Sequence, residues 1–400
     1  MKWPYRKLGE VCKFQGGSQP PKSQFISQPA DGYIRLLQIR DFKSDTKAIY
    51  VPESTKNRVC AEDDIMLARY GASVGQIHRG KAGAYNVALI KTTPDTDLLD
   101  KDFFYLYLLS NNFQKPLFSV AERSAQAGFS KADISPFLIP LPPIPEQQRI
   151  VAILDQAFAD IEKARANAEK NLKNARELFD SYLNQVFSQR GEGWVEKLLG
   201  EIAEFKNGLN FSQSSKGETV KIVGVKDFKS NFVVPSKQLD TIQIDGNLPS
   251  SYELKQHDIV TVRSNGNKRL IGRCLLVGAI TDKTSFSGFT IRIRLTTSAL
   301  DSGFLAYYLK SAATHEMLIN AGDGANISNL NQKILTSLPV AWPGIELQLQ
   351  LVLNIKKIES ESRMLQIACE KKLASLDELK KSLLQKAFSG ELTKTEGHAA

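Results

Sequence analysis

Cysteine is scarce and scattered. Cys12, Cys60, Cys274 and Cys369 are the four thiols of a 400-residue chain. They form no C-x-x-C pair and have no histidine at ligand spacing, which excludes a disulfide framework and a zinc finger. They read as reduced, buried thiols of a cytoplasmic protein. The opening MKWPYRKLGE has no apolar stretch, so no signal peptide is expected, and no run is long and apolar enough for a membrane span. The phosphate-binding pattern GxxxxGK[ST] is absent, and no GxGxxG follows a strand, so nucleotide binding through either is excluded. An adenine N6-methyltransferase needs an acidic, amide or Ser residue, two prolines and an aromatic. Pro20-Pro21 lies between Gln19 and Lys22, and Pro142-Pro143 between Leu141 and Ile144, so neither fits. Charge of one sign is also in short supply: the net +9 is spread thinly, and a surplus of that size does not establish a nucleic-acid partner.

What the chain does have is two long stretches without helix breakers. From Glu146 to Gln189 there is neither Pro nor Gly, and small or apolar residues recur every seventh position at Leu154, Ile161, Ala168, Ala175 and Tyr182. A second row holds Phe158, Leu172, Phe179 and Val186, interrupted by Arg165. The opposite face is charged, as on an amphipathic helix. Leu347–Ser389 is its partner, with Leu351, Ile355, Ile358, Leu365, Ala368, Leu376, Leu379 and Leu383 as the apolar row. Residues 146–190 and 347–390 are therefore expected as two long helices. Leu154, Phe158, Ile161, Leu172 and Phe179 should pack on Leu351, Ile358, Leu365, Leu376 and Leu379 in an antiparallel coiled coil.

The helices belong to a larger repeat. SYLNQVFS (Ser181–Ser188) returns as SLLQKAFS (Ser382–Ser389), 201 positions on. WPYRKLGEVCKF (Trp3–Phe14) resembles WVEKLLGEIAEF (Trp194–Phe205), and LLQIRDFKS (Leu36–Ser44) resembles IVGVKDFKS (Ile222–Ser230). Asp64-Ile65 with Arg69 returns as Asp258-Ile259 with Arg263. The aromatic segments Phe103–Ser110 and Phe304–Ser311 correspond as well. A period near 200 residues is too long for a solenoid and suits two domains, each trailed by a helix. The expected fold is two mixed α/β domains in tandem, residues 1–145 and 191–346, with a polar tail at 391–400. A repeat of this kind, joined by antiparallel helices, has approximate two-fold symmetry.

One loop in each domain stands out. Ala68–Gly83 carries Arg69, Tyr70, Ser73, Gln76, His78, Arg79 and Lys81 among four glycines. Val262–Arg273 carries Arg263, Ser264, Asn265, Asn267, Lys268, Arg269 and Arg273. Arg, Lys, Asn and Gln on Gly-rich loops are the side chains that pair with phosphates and base edges. A solvated hairpin is the plain alternative for either loop; recurrence in both domains favours a nucleic-acid surface. Lys22 and Lys216, in the polar turns Phe14–Gln24 and Phe205–Lys216, are weaker candidates. A competing chemistry also needs an answer. Asp41-Phe42-Lys43 and Asp227-Phe228-Lys229 have the D-x-K spacing of metal-dependent nucleases, with Asp31 and Glu218 upstream. Each also reads as a turn at a strand end. A duplicated adaptor that holds two protein clients is a further alternative, distinguishable because it would show no salt-dependent DNA binding.

The segment IPLPPIPEQQRIVAILD (Ile139–Asp155), the long helix after it and AFSGEL (Ala387–Leu392) resemble the specificity subunit of a type I restriction–modification system, over essentially the whole chain. The second copy departs from the pattern, since Ile345-Glu346-Leu347-Gln348 lacks the full EQQR. The resemblance implies two target-recognition domains, each reading half of a bipartite, asymmetric double-stranded DNA site. The helices would space these domains. It further implies two methyltransferase subunits that use S-adenosylmethionine, and ATP- and Mg-dependent restriction subunits. The chain itself would bind no cofactor or metal, catalyse nothing and meet no membrane.

Overall fold

Strand Ile65–Ala68 is buried at every position, as an unbroken apolar run covered on both faces must be. It lies inside an antiparallel sheet ordered Cys12–Gly16, Leu89–Pro94, Ile65–Ala68, Ile77–His78. A second sheet runs Tyr50–Pro52, Tyr33–Leu37, Gly83–Tyr85, Val59–Cys60, and its central pair is parallel. Tyr5–Lys7 pairs with Leu138–Pro140, bringing the two ends of this domain together. Helices Lys101–Leu109 and Asn111–Ala121 cover the first sheet through Phe103, Phe104, Tyr107 and Phe113.

The second repeat rebuilds this plan. Its four-stranded sheet is ordered Ala203–Asn207, Thr290–Leu295, Ile259–Val262, Cys274–Leu276, all antiparallel. Its other sheet is Asp240–Gln243, Thr219–Val223, Thr284–Phe286, again with one parallel pair. Val195–Leu198 closes on Pro339–Trp342, and helix Ser302–Lys310 supplies the buried aromatics. The computed structural model describes residues 3–122, 128–212, 214–229, 231–267, 270–320 and 330–394. It divides into two units, Met1–Glu169 with Lys371–Ala400, and Lys170–Glu370.

The long helices, Ile144–Ser188 and Ile345–Ser389, each contribute to both units. In the first unit, Ile150 and Leu154 from the start of one helix and Leu384, Ala387 and Phe388 from the end of the other enter a single core. Phe388 meets Phe103 at 5.1 Å and Tyr107 at 5.5 Å between ring centroids. In the second unit the partners are exchanged: Phe187 meets Phe304 at 5.2 Å and Tyr308 at 5.4 Å. The helix segments run antiparallel in the first unit, where Arg165 pairs with Asp377 and Glu162 with Lys380. In the second, the Ser362 hydroxyl donates to the Ala175 carbonyl at 2.5 Å.

The first helix buries Leu154, Ile161, Ala168, Ala175 and Phe179, with Phe158 and Leu172 half-buried. The second corrects the expected pairing row. Leu376 is buried, and Leu351 and Ile358 are half-buried against the core, but Leu365 and Leu379 are 50% and 46% exposed. The inward row is Ile355, Ser362, Leu376 and Leu383, and its companion row lies four residues on from each position, not three. That companion row includes Glu359 and Lys380. Glu359 accepts hydrogen bonds from Tyr307 at 2.9 Å and Lys310 at 2.7 Å, while Lys380 reaches Glu162. Because the row is polar, apolar periodicity points to the neighbouring leucines instead.

The duplicated glutamines at the helix starts are structural. Gln147 is fully buried. Its amide donates to the carbonyls of Leu98 at 2.9 Å and Pro142 at 2.8 Å, and its oxygen accepts from Asp100 N–H at 2.8 Å. Gln348 does the same with Ala299 at 2.8 Å, Pro343 at 2.7 Å and Asp301 at 2.8 Å. Asp100 and Asp301 in turn cap the aromatic helices. One side chain thereby fixes the long helix to the turn that starts the domain's own helix. The departure from EQQR in the second copy keeps the residue that does this.

Candidate nucleic-acid interface

Arg69 and Arg263 follow the buried strands Ile65–Ala68 and Ile259–Val262, and the same backbone contacts hold both. Arg69 N–H donates to the Ala88 carbonyl at 3.0 Å, and its carbonyl accepts from Phe129 N–H at 3.3 Å. Arg263 N–H donates to Phe289 at 2.8 Å, and its carbonyl accepts from Leu330 N–H at 2.8 Å. The loop beyond is closed in each unit by a left-handed glycine. Gly75, with φ 82°, donates to the Ala68 carbonyl at 3.0 Å; Gly272, with φ 79°, donates to Val262 at 2.9 Å. Side chains other than glycine rarely adopt that conformation. Between these pins the loops differ in length and content, spanning residues 69–74 in one unit and 263–271 in the other.

In the first unit, Arg69 Nε donates to the Phe129 carbonyl at 3.1 Å, and its guanidinium lies 4.5 Å from the Tyr70 ring centroid. Tyr70 is exposed, and Ser73 and Gln76 are half-buried in the turn that follows. Arg79 is exposed, paired with Asp102 at 2.5 Å and lying over Tyr105 at 4.0 Å. Lys81 pairs with Asp45, which also takes Arg35 at 2.5 Å. The two cations, Lys81 foremost, hold the Asp45 carboxyl below the usual carboxylate range. Ion pairs at the surface contribute little, so these cations can exchange a carboxylate for a phosphate at small cost. His78 differs from the rest. It stacks on Phe42 at 4.6 Å, and burial lowers its pKa, so it brings no positive charge at neutral pH. Lys22 is exposed in the turn Lys22–Gln24.

In the second unit, Arg263, Ser264 and Asn265 are half-buried and Asn267 is exposed. Asn265 Oδ1 accepts from Asn267 N–H at 2.8 Å, which orders the turn. Lys268 and Arg269 lie outside the described residues. Arg273 is exposed and donates to the Lys229 carbonyl at 3.2 Å. Lys216 is exposed beside Asp245, which accepts its backbone N–H at 3.1 Å.

The D-x-K carboxylates are engaged in the fold. Asp41 and Asp227 are buried and accept from the backbone N–H of Gln38 at 2.6 Å and of Gly224 at 2.8 Å. Each thereby closes the short 3-10 turn, Ile39–Phe42 or Val225–Phe228, in which it sits. Burial raises the pKa of Asp227, the opposite of what a metal-ligating carboxylate needs. Glu218 is held by Lys283 and by Leu248 N–H at 2.7 Å. Among the described residues no group of three His, Cys, Asp or Glu side chains is placed to hold a metal, and no helix is long and apolar enough to cross a membrane.

Sequence periodicity missed Phe289. It opens the strand-like run Phe289–Leu295, so it reads as a strand residue, yet its side chain is 62% exposed beside Arg263. Gln348 lies in the incomplete second copy of EQQR, which hides it from a motif match. The signal that finds it is the 201-residue shift from Gln147.

A family model for the type I restriction modification DNA specificity domain matches residues 1–170 and again 191–365. The chain is 23% identical to the specificity subunit of the type I restriction enzyme StySPI of Salmonella potsdam, covering 98% of this chain and 89% of that one. It is 21% identical to the EcoKI specificity subunit of Escherichia coli K12, with the same coverage. Among solved structures, a chain from a study of complex assembly and conformational transition of the type I R-M system superimposes with a TM-score of 0.78, at 18% identity and 98% coverage of both chains. The HsdS subunit of Thermoanaerobacter tengcongensis follows at 0.63 and 18% identity, covering 98% of this chain and 97% of that one. With two matches to one family model spanning both repeats, and with the duplicated fold, this chain belongs to the type I restriction–modification DNA specificity family.

Proposed function

We propose that this chain is the DNA-recognition subunit of a type I restriction–modification complex, each unit reading one half of a bipartite, asymmetric double-stranded site. The observation that carries this is the pair of loops after Arg69 and Arg263. Their frames are pinned by matching hydrogen bonds, while their contents have diverged. A constant frame with a variable loop is what two readers of different half-sites need. Arg69, Arg263, Asn265, Asn267 and Gln76 have the donors and acceptors to bond base edges. Arg79, Lys81, Arg273, Lys22 and Lys216 are placed to meet phosphates, which position the protein without carrying sequence information.

Chemistry belongs to the partners. Two methyltransferase subunits supply S-adenosylmethionine-dependent transfer, and restriction subunits supply ATP- and Mg-dependent cleavage. The exposed faces of the paired helices are available to hold them. The test is equilibrium binding of the full chain, with its methyltransferase partner, to duplex DNA over a range of salt. Arg69→Ala should weaken binding to one half-site and Arg263→Ala to the other. Loss of a phosphate contact should also flatten the salt slope by about one. If both variants, together with Arg79→Ala and Lys81→Ala, leave affinity and slope unchanged, these loops are not the DNA surface.

A further inference from the structure

Phe289 occupies a place that no core role explains. It sits in the turn between strands Thr284–Phe286 and Thr290–Leu295. Its carbonyl accepts both Arg263 N–H at 2.8 Å and Ser264 N–H at 3.3 Å. The neighbouring Gly288 N–H donates to Leu209 at 2.7 Å, so the turn is held from both sides. The ring is thus displayed at a fixed position beside the duplicated arginine, 62% exposed. Single exposed apolar residues are ordinary. What sets this one apart is its counterpart.

In the first unit the carbonyl that receives the arginine N–H belongs to Ala88, and the aromatic is Tyr70, the residue after the arginine, 42% exposed. In the second unit the residue after the arginine is Ser264, and the aromatic has moved to the opposite strand as Phe289. Each unit therefore shows an exposed aromatic side chain next to the duplicated arginine, from a different strand. A packing residue would have kept its place through the duplication, as Phe103 and Phe304 did. The hydroxyl is exchanged too, since Tyr70 can bond a base edge and Phe289 offers only hydrocarbon. Among base edges in the major groove, thymine alone presents a methyl group.

Resting on the reading of this face as the DNA surface, we propose that Phe289 reads a thymine through its C5 methyl in the half-site of the second unit. Moving the aromatic between strands is then one physical reason why the two half-sites differ.

The test uses the full chain with its methyltransferase partner. The methylated motif is first sequenced, and each thymine of the second unit's half-site is then replaced by deoxyuridine, which removes only the methyl. One replacement should weaken binding about fourfold, the effect of a single buried methyl. In Phe289→Ala that penalty should vanish, while Phe289→Leu, which keeps apolar bulk, should retain part of it. An unchanged melting temperature confirms that the exposed ring was not structural. If no thymine is sensitive, or if the sensitivity survives in Phe289→Ala, the inference is wrong. Arg263→Ala separates the two levels. If it weakens binding while the deoxyuridine effect persists in Phe289→Ala, only the thymine reading fails. If it changes neither affinity nor salt slope, the DNA face itself has been misplaced.

Discussion

Replacing Phe388 by Ala should unsettle the N-terminal domain, although the residue lies near the other end of the chain. Phe388 is fully buried, and its ring contacts Phe103 and Tyr107, both fully buried themselves. Truncating a core Phe to Ala costs about 3–5 kcal/mol, because lost transfer energy and an unfilled cavity add. That is a rise of about two to almost four orders of magnitude in the opening equilibrium of the unit that contains it. Phe187 holds the matching place among Phe304 and Tyr308 in the second unit. Native-state hydrogen exchange of the two variants reads the effect region by region. Phe388→Ala should raise exchange in residues 101–109 and leave 302–310 near the wild-type level; Phe187→Ala should do the reverse. Equal loss of protection in both segments from either variant would refute the assignment of each helix end to the other repeat's domain. So would no loss in either.

Three further outcomes are expected. Gln147→Ala leaves one N–H and two carbonyls without their buried partner, at about 1–3 kcal/mol for each group left unpaired. It should lower the melting temperature clearly, and Gln147→Glu should not rescue it, since a carboxylate cannot donate to Leu98 and Pro142. Asp41→Ala and Asp227→Ala should cost stability by uncapping their turns and change no Mg-dependent activity on DNA; abolition of cleavage by the purified chain would revive the nuclease reading. Burial pushes the thiols of Cys12 and Cys274 up to about 12 and that of Cys60 to about 11. At pH 8 these three should resist alkylation in the native state while half-buried Cys369 reacts first, as peptide mass spectrometry would show.

Much of the fold is legible in the sequence because duplication doubles each signal. Asp64-Ile65-…-Arg69 and Asp258-Ile259-…-Arg263 do mark matching strands and the residue that follows them. The breaker-free stretches do form the two long helices. The second helix's inward face is only partly legible: Ile355, Leu376 and Leu383 stand in the apolar row, but the polar Glu359 and Lys380 beside it turn the apolar pattern toward the exposed Leu365 and Leu379. The site was less legible still. Residue type singles out Arg79 and Lys81, but only coordinates reveal their partners Asp102 and Asp45, or that His78 is stacked on Phe42 and uncharged. Phe289 carries no sequence signal at all, because exposure is decided by which strand its turn joins.

The account rests most directly on two units reading two half-sites, and the decisive measurement is the methylated motif of cells that express this chain with its methyltransferase partner. Sequencing should return two short specific segments separated by a non-specific spacer. Exchanging residues 1–145 for the matching domain of a relative should then rewrite one segment and leave the other untouched. A single uninterrupted motif, or a chimera that alters both segments together, would contradict the account.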